Sequence, residues 1–450
     1  MIISRAELDL ELGLKYYSSS SEGIGGRIRS VPEDFVVIEV NELGELAFPY
    51  ASPPREGSGN FTWFILEKRK VDSITALKLV AKALGVSHKK FSVAGLKDAR
   101  ALTYQFACAE GVPPEDIVRV ETPYVRVIAA FRMPFKLTPG MLFGNVFVIV
   151  VRDVSLSPSL VETRILKILK EIKANGGVPN YYGYQRFGTI RPNTHKIGRL
   201  IVKGMYKEAF EEAVLRVYPR ESPWSKEARE YLAATGDLRG ALKKFPPNLH
   251  HERTMIKYLA RHPGDYVGAF RALPLSIRRL FIGAYQAYLF NRVLSRRIEH
   301  GLRIDRAYVG DIVAIYHKSG FKVRLRGILR VTDTNVSKIN ELIKRGQAHL
   351  VINVFGYRTK LAGGIQGEIE REILREEGIS LADFMIKSIP EASSKGDVRR
   401  SCLNPLKLSF RVLKSSETLV EFSFLLTKGS YATVLLREFI KPKDIIAAGF

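Results

Sequence analysis

Short runs of β-branched and aromatic residues alternate with turn residues over the first third of the chain, which is typical of a sheet. The runs cover residues 35–40, 61–66, 104–107, 124–133 and 146–151. Two amphipathic segments accompany them. One is opened by Asp72 or Ser73 as N-cap and ended by Gly85, and the other follows Pro158 and ends near Gly177. Helices that cover a sheet predict an α+β domain.

The pattern changes after Gly188, where helical spacing dominates and includes a long helix at 275–299. A mixed α/β stretch over 307–384 and a polar segment at 391–396 follow. The first pattern then returns in three segments, with strands at 408–412 and 419–426 and a helix at 431–440. An insertion within one parent domain would produce this order, and two successive domains with a tail would look similar.

Composition indicates the class of partner. The 450 residues, enough for two or three domains, include 70 Lys and Arg against 46 Asp and Glu, a formal net charge of +24. Such an excess indicates work against polyanions, nucleic acid first, although Lys and Arg also keep surfaces soluble. The longest apolar stretch, near 141–151, is shorter than the roughly 20 residues of a membrane span, and the acidic N-terminus is unlike a signal peptide. We therefore expect a cytoplasmic protein without membrane contact.

The segment 91–105 is predicted to form a strand, a tight loop and a second strand, which places Lys97 and Asp98 at a strand end. Active-site groups are often mounted there, on loops held by a rigid scaffold. A Lys-Asp pair in a loop is nevertheless more often a solvated charge pair, so these two residues alone define no site.

The segment 178–188 has four aromatic residues in seven positions, with amide and guanidinium groups between them. Such a loop suits unstacked bases, because aromatic faces stack at about 1–3 kcal/mol per base while Asn180, Gln185 and Arg186 reach base edges and phosphates. The segment is predicted to be a nucleotide platform. A packed aromatic loop that closes the sheet is the alternative.

Several other kinds of site lack their necessary residues. No P-loop, HExxH or GxSxG motif is present, which disfavours nucleotide-driven, zincin and serine-hydrolase chemistry. Cys108 and Cys402 are too far apart in sequence to argue a disulfide framework or a cysteine zinc site. The basic clusters at 88–90 and 292–297 are candidate phosphate contacts, with solvated helix faces as the default alternative.

Read together, separated motifs resemble those of TruD-type pseudouridine synthases, of the archaeal type, in sequence and in order. The motifs are Pro32-Glu33-Asp34-Phe35, Gly95-Leu96-Lys97-Asp98 with Thr103 and Gln105, Gly144-Asn145 with Phe147, the segment 180–188, Tyr288-Leu289-Phe290-Asn291, Gly396 with Arg399-Arg400, and Lys428-Gly429-Ser430-Tyr431. The match is dense in about the first 190 and the last 55 residues.

The resemblance implies an α+β pseudouridine-synthase catalytic domain, a mixed sheet flanked by helices, interrupted by an inserted α/β TRUD domain. The predicted bounds are 1–188 and 396–450 for the catalytic domain and 189–395 for the insertion. The resemblance also implies an isomerase that converts a uridine of transfer RNA, at the expected position 13, to pseudouridine. The expected partner is transfer RNA, with no cofactor, metal, nucleotide or obligatory protein partner.

The same resemblance assigns candidate site residues. Asp98 occupies the position of the catalytic aspartate, which would attack C1′ or remove a C2′ proton. The candidate substrate-binding residues are Arg29, Phe35, Lys97, Asn180, Tyr182, Gln185 and Arg186. Tyr182 would be the base platform, at a position where family members often carry Phe, and Arg29 stands where Lys is common. Arg29 or Lys97 would hold Asp98 ionised in a dry cleft.

Two other hypotheses compete with this one. A catalytically silent RNA-binding or RNA-folding protein on the same scaffold would need the same basic surface and aromatic platform, and only the role of Asp98 separates it from an enzyme. A metal-dependent RNA nuclease would need a clustered acidic motif, which the sequence lacks.

Overall fold

The computed structural model describes residues 1–48, 57–97, 99–414 and 417–450. In chain order, the first part forms β1 (Ile2–Ile3), α1 (Glu7–Glu11), β2 (Tyr16–Tyr17), β3 (Phe35–Asn41), β4 (Phe61–Lys68), α2 (Ser73–Ala83), β5 (Phe91–Val93), β6 (Leu102–Glu110), α3 (Pro114–Ile117), β7 (Val125–Met133), β8 (Leu142–Val154), α4 (Pro158–Ala174) and β9 (Val178–Pro179). The strands and the two helices predicted for this part are confirmed. Asp72 is the N-cap of α2, since its Oδ1 accepts from the backbone N–H groups of Ile74 and Thr75 at 2.9 and 3.1 Å.

The middle of the chain is mainly helical, as predicted. It forms α5 (Thr194–Val202), α6 (Tyr206–Phe210), α7 (Pro223–Thr235), α8 (Leu238–Lys244), α9 (His250–Leu259), α10 (Tyr266–Arg271), α11 (Leu275–Glu299), β10 (Ile312–Ser319), β11 (Lys322–Arg330), α12 (Val336–Lys344), β12 (Ala348–Val354), α13 (Gly364–Glu377) and β13 (Asp397–Arg400). The last part forms β14 (Cys402–Leu403), β15 (Leu406–Lys414), β16 (Thr418–Thr427) and α14 (Ala432–Ile440).

One large mixed sheet joins the two ends of the chain. Its strand order is β15-β16-β8-β3-β6-β4-β7, with β5 also paired to β6. The β3–β6 pair is parallel and the other pairs are antiparallel. The β16–β8 pair sets Phe424 opposite Phe147, and their rings stack at 5.5 Å between centroids. The α+β class, a mixed sheet flanked by helices, is therefore confirmed.

The middle of the chain has a sheet of its own, with the antiparallel order β11-β10-β12-β13. Val313 and Leu350 pack against Ile339 of α12 on one face, while Ile312 and Val351 belong to a separate core cluster on the other. The domain bound predicted between residues 395 and 396 precedes β13, which pairs with β12 in this second sheet. The three predicted domain ranges stay a prediction.

A buried ion pair connects the N-terminal segment to the last helix. Arg437 Nε donates to Asp9 Oδ2 at 2.8 Å, and both side chains are almost fully shielded from solvent. The Arg437 guanidinium also donates to the carbonyl oxygens of Leu14 and Tyr16. The other Asp9 oxygen accepts from the Tyr184 hydroxyl at 2.6 Å. The pair therefore joins the N-terminal segment, α14 and the 178–188 loop at one point.

Replacing Asp9 by Asn removes the charge while keeping the shape. Because Arg437 then stays buried without the carboxylate to which it is hydrogen-bonded, we expect the free energy of unfolding to fall by about 3–5 kcal/mol, measured by urea-induced unfolding. The matched control is Glu227→Gln, which removes the exposed ion pair to Lys244 and should change stability by less than about 1 kcal/mol. Equal stabilities of the two variants would contradict this role for the buried pair.

Candidate active site

The loop between β5 and β6 contributes to a cleft beside the large sheet. Asp98 itself lies outside the described residues, but Leu96 and Lys97 on one side of it and Ala101 on the other line this cleft. The cleft has a volume of about 490 Å³ and is also lined by Arg29, Phe35, Val37, Thr103, Asn145, Phe147, Gln185, Arg186, Leu280, Ser430, Tyr431, Ala432 and Thr433. Five of the predicted substrate-binding residues thus share one cavity.

Lys97 is fixed to the sheet by its neighbours. Its Nζ lies 3.7 Å from the buried Glu39 carboxylate of β3, and its backbone N–H donates to the Ser73 hydroxyl at 2.9 Å. That hydroxyl in turn donates to Gln105 Oε1 at 2.8 Å. Burial raises the pKa of Glu39 above its usual value, while the nearby Lys97 ammonium lowers it. The positive charge of Lys97 is therefore directed at least partly toward Glu39.

Arg29 is held differently. Its guanidinium lies over the Phe35 ring at 4.2 Å and donates to the Gly449 carbonyl oxygen at 3.2 Å. The Arg29 backbone is in the left-handed region, with φ of +60°, a conformation that non-glycine residues seldom adopt. Phe35 is buried and meets Phe147 edge to face at 6.1 Å. Arg29 thus lines the cleft as a cation stacked on Phe35, whose ring in turn packs against Phe147.

Unsatisfied polar atoms concentrate in this region. Among the described residues, Glu39 Oε1, Thr103 Oγ1, Gln105 Nε2 and Asn145 Oδ1 are buried and have no hydrogen-bond partner. Such atoms are uncommon in folded proteins and need a partner such as water or a bound ligand. Thr103 and Asn145 line the cleft, where a polar substrate would satisfy them, whereas Glu39 Oε1 faces the Lys97 ammonium. No three His, Cys, Asp or Glu side chains come together as a metal site within the described ranges.

The aromatic loop divides into packed and accessible residues. Tyr181, Tyr184 and Phe187 are fully buried, so for these three the packed alternative is correct. Tyr182 is only half-buried and lines a second recess that adjoins the first, with Ser430 in the wall of both. Its backbone N–H donates to the Asn291 side chain at 2.8 Å. Tyr182 is therefore the one ring of this loop that is placed to meet a ligand.

Arg399 of β13 holds this ring and was not predicted as a site residue. Its guanidinium lies 4.0 Å from the centre of the Tyr182 ring and 5.6 Å from that of Tyr431. It also donates to Asn180, to the backbone oxygen at 3.0 Å and to Oδ1 at 3.1 Å. Burial lowers the pKa of Arg399, and the neighbouring tyrosines oppose that shift.

The remaining predicted residues take up supporting positions. Asn180 is buried and uses both ends of its amide on β13, since its Nδ2 donates to the Arg400 carbonyl oxygen at 3.1 Å. Gln185 accepts a hydrogen bond from the Thr433 hydroxyl at 3.4 Å. The Arg186 guanidinium lies 6.0 Å from the Tyr182 ring centre, against Gly283 of α11. Their substrate contacts stay a prediction.

The arginines of the basic cluster at 292–297 are engaged in ion pairs within the fold. They therefore fit neither of the two alternatives given for them, phosphate contacts or a solvated helix face. Arg292 and Arg296 form ion pairs with glutamates of α13, and Arg297 pairs with the buried Asp311 at 2.8 Å. These arginines stabilise helix packing and are a poor choice of phosphate contacts. The residues that sequence reasoning missed, Arg399 and Tyr431 above all, stand within motifs that carried the family resemblance, and that was their only signal.

Comparison with known proteins agrees with this geometry. The family profile "tRNA pseudouridine synthase D (TruD)" matches residues 11–439. Two curated relatives named probable tRNA pseudouridine synthase D, from Methanosarcina acetivorans and Thermococcus sibiricus, are 37% and 40% identical, covering 97% and 94% of this chain and 97% of each relative. A crystal structure described as "Putative tRNA pseudouridine synthase D (TruD)" from Methanosarcina mazei superposes with a TM-score of 0.80 at 36% identity, over 97% of this chain and 98% of that one.

The family match and the superposed crystal structure place this mixed-sheet fold in the pseudouridine-synthase class of RNA-modifying enzymes. The chain belongs to the TruD family. The fold class and the family membership expected from the sequence motifs are both confirmed.

Replacing Arg399 by Lys keeps the charge but removes the flat guanidinium that stacks on Tyr182 and bonds Asn180. We expect the rate of pseudouridine formation in a transfer RNA transcript to fall by about tenfold or more, the loss that accompanies a charged hydrogen bond of about 1.5–3 kcal/mol. The control, Arg411→Lys on the exposed face of β15, should keep the parent rate. An Arg399→Lys enzyme as fast as the control would mean that Tyr182 needs no such support.

Proposed function

We propose that this protein converts the uridine at position 13 of transfer RNA to pseudouridine, with Asp98 as the essential carboxylate and without a cofactor. Membership of the TruD family makes it a tRNA pseudouridine synthase, an isomerase. The observation that carries the finer proposal is that residues on both sides of Asp98 line the same cleft as Arg29, Phe35 and Tyr431.

The chemistry needs few groups. The N1–C1′ bond breaks, the base turns, and C5 bonds to C1′, while the proton on C5 is lost and N1 gains one. Nothing is oxidised or consumed. A carboxylate with an unperturbed pKa of about 3.9 is ionised at neutral pH, so it can attack C1′ or remove the C2′ proton without metal assistance. Arg29 supports this role, because its cation lies in the cleft while Lys97 faces Glu39.

The target uridine has to leave its stack to reach the cleft, which costs a few kcal/mol. Stacking on an aromatic side chain recovers about 1–3 kcal/mol. Tyr182 supplies that surface, and Arg399 fixes its ring in place before the base arrives. The unsatisfied oxygen of Asn145 and the hydroxyl of Thr103, in the wall of the same cleft, offer hydrogen bonds to the uracil or the ribose.

The partner is the polyanionic backbone of transfer RNA, which the net charge of +24 favours. The proposed place of action is the cytoplasm, where transfer RNA is modified. Among the described residues, no helix has both the length and the apolar character that a membrane crossing requires.

The essential carboxylate is tested by mapping pseudouridine in unmodified transfer RNA incubated with the purified chain, without added metal or nucleotide. We expect product at one uridine with the parent and a loss of about 10³-fold or more with Asp98→Asn, because either route to bond cleavage starts from this one carboxylate. Asp116→Asn, on the exposed side of α3, is the matched control and should keep full activity. Binding without product in parent and variant alike would favour the silent RNA-binding protein.

Electrostatic binding predicts a strong dependence of affinity on salt. If the basic surface neutralises several phosphates, raising monovalent salt from about 50 to about 200 mM should weaken transfer RNA binding by about a hundredfold or more. The dissociation constant is measured with Asp98→Asn so that turnover does not interfere. An affinity independent of salt would show that backbone phosphates are not the main contacts.

A further inference from the structure

The hairpin formed by β10 and β11 reaches from the second sheet to the large sheet. At its tip, the Phe321 ring meets Phe143 edge to face, with 5.1 Å between ring centroids. It also lies directly against Gly44, where a Cβ atom would stand 2.3 Å from the Phe321 ring. Gly44 has a φ of +86°, so glycine suits both the turn and the close approach. The hairpin therefore bridges the space between the second sheet and the large sheet.

This contact brings the hairpin to the base platform. Tyr316, Phe321 and Val323 line the recess that contains Tyr182 and Arg399. On the other side of the hairpin, Lys322 and Arg324 line a neighbouring recess with Trp63 and Phe135, and Glu42 contributes to both recesses. A polynucleotide with one base against Tyr182 has to continue past this hairpin in at least one direction.

The charge of the hairpin has a single sign. Residues 312–330 hold five Lys and Arg and no Asp or Glu, and residues 306–360 hold eleven against three. Lys322, Arg324 and Arg326 are exposed, and no carboxylate of the described residues lies within 4.0 Å of their charged nitrogens. At the far end of β11, Arg330 shares a third recess with Arg358, Lys360 and Lys395. The basic surface therefore runs along the whole strand.

Charged residues on an edge strand also prevent sheets from pairing edge to edge, and β11 is the edge of its sheet. Lys is especially common in that role, so a set of cations does not by itself distinguish edge protection from RNA binding. Edge protection does not account for the position of these cations in the recess next to that of Tyr182, nor for the contact of the hairpin with the opposite sheet. Complementarity to a polyanion accounts for all three features.

We propose that this hairpin is an RNA-binding arm, in which Lys322, Arg324 and Arg326 bind phosphodiester groups of the strand that leaves the cleft. The inference rests on the proposed function in taking transfer RNA as the ligand. The arm contributes affinity and register, because phosphate contacts position a nucleic acid without reading its bases. It takes no part in the chemical step.

The test compares two triple variants of the full chain that lose the same charge. One is Lys322→Gln/Arg324→Gln/Arg326→Gln on the arm. The other, Lys338→Gln/Lys344→Gln/Arg345→Gln, lies on α12 and its C-cap residue, and this helix packs on the sheet face opposite Ile312 and Val351. Dissociation constants for an unmodified transfer RNA transcript are measured over a salt series. Unfolding midpoints show whether both variants are folded.

We expect the arm variant to bind about tenfold or more weakly, and the slope of log affinity against log salt to fall by about two to three. The α12 variant should stay within about twofold of the parent. In turnover, the arm variant should raise KM more than it lowers kcat. Arm and α12 variants with equal affinities and slopes would overturn the proposal.

Failure of the arm and failure of the enzymatic function give different results. A parent chain that forms no pseudouridine, with a changed slope in the arm variant, would remove the function and keep the arm. If the arm variant does not fold, amine-reactive labelling of the parent decides. Protection of Lys322 by transfer RNA relative to Lys338 and Lys344 supports the arm, and equal labelling of the three contradicts it.

Discussion

The buried pair of Arg437 and Asp9 is the interaction on which the rest of the site depends. A fully buried guanidinium needs a counter-charge and hydrogen-bond acceptors, and here each of its three nitrogens donates to the N-terminal segment, to one carboxylate and two carbonyl oxygens. Because Tyr184 bonds the same carboxylate, the aromatic loop is fixed by a contact between the two ends of the chain. The position of Tyr182, two residues earlier, follows from that anchor.

The second constraint comes from the other side of the cleft. Arg399 belongs to a strand of the second sheet, yet it stacks on Tyr182 and bonds Asn180, which belong to the loop after α4. The platform is therefore assembled from two parts of the fold, and neither part holds the ring by itself. Such preorganisation limits the loss of side-chain entropy when a flipped base arrives.

Much of this could be predicted from the sequence, because the signals are local. Alternation of apolar residues gave the strands of the large sheet, Asp72 marked the start of α2, and helical spacing gave α11 with its ends. The site was predictable only in part. Local composition indicated an aromatic platform in 178–188, but it could not separate Tyr182 from its buried neighbours, because burial there depends on residues of α11 and α14. The contact of Arg399 with Tyr182 joins distant segments, and spacing along the chain holds no information about it.

The strand order has a further consequence for how the protein folds during its synthesis. β16 lies between β15 and β8, and Arg437 reaches back to Asp9 over 428 positions of sequence. During synthesis, β8 must wait with an unpaired edge while the whole helical middle of the chain is made, and long-range pairing of this kind is slow. The helical middle can organise earlier through its local contacts. The pairing of β16 with β8 and the anchoring of the aromatic loop through Arg437 and Asp9 therefore have to wait until the last part of the chain has been made.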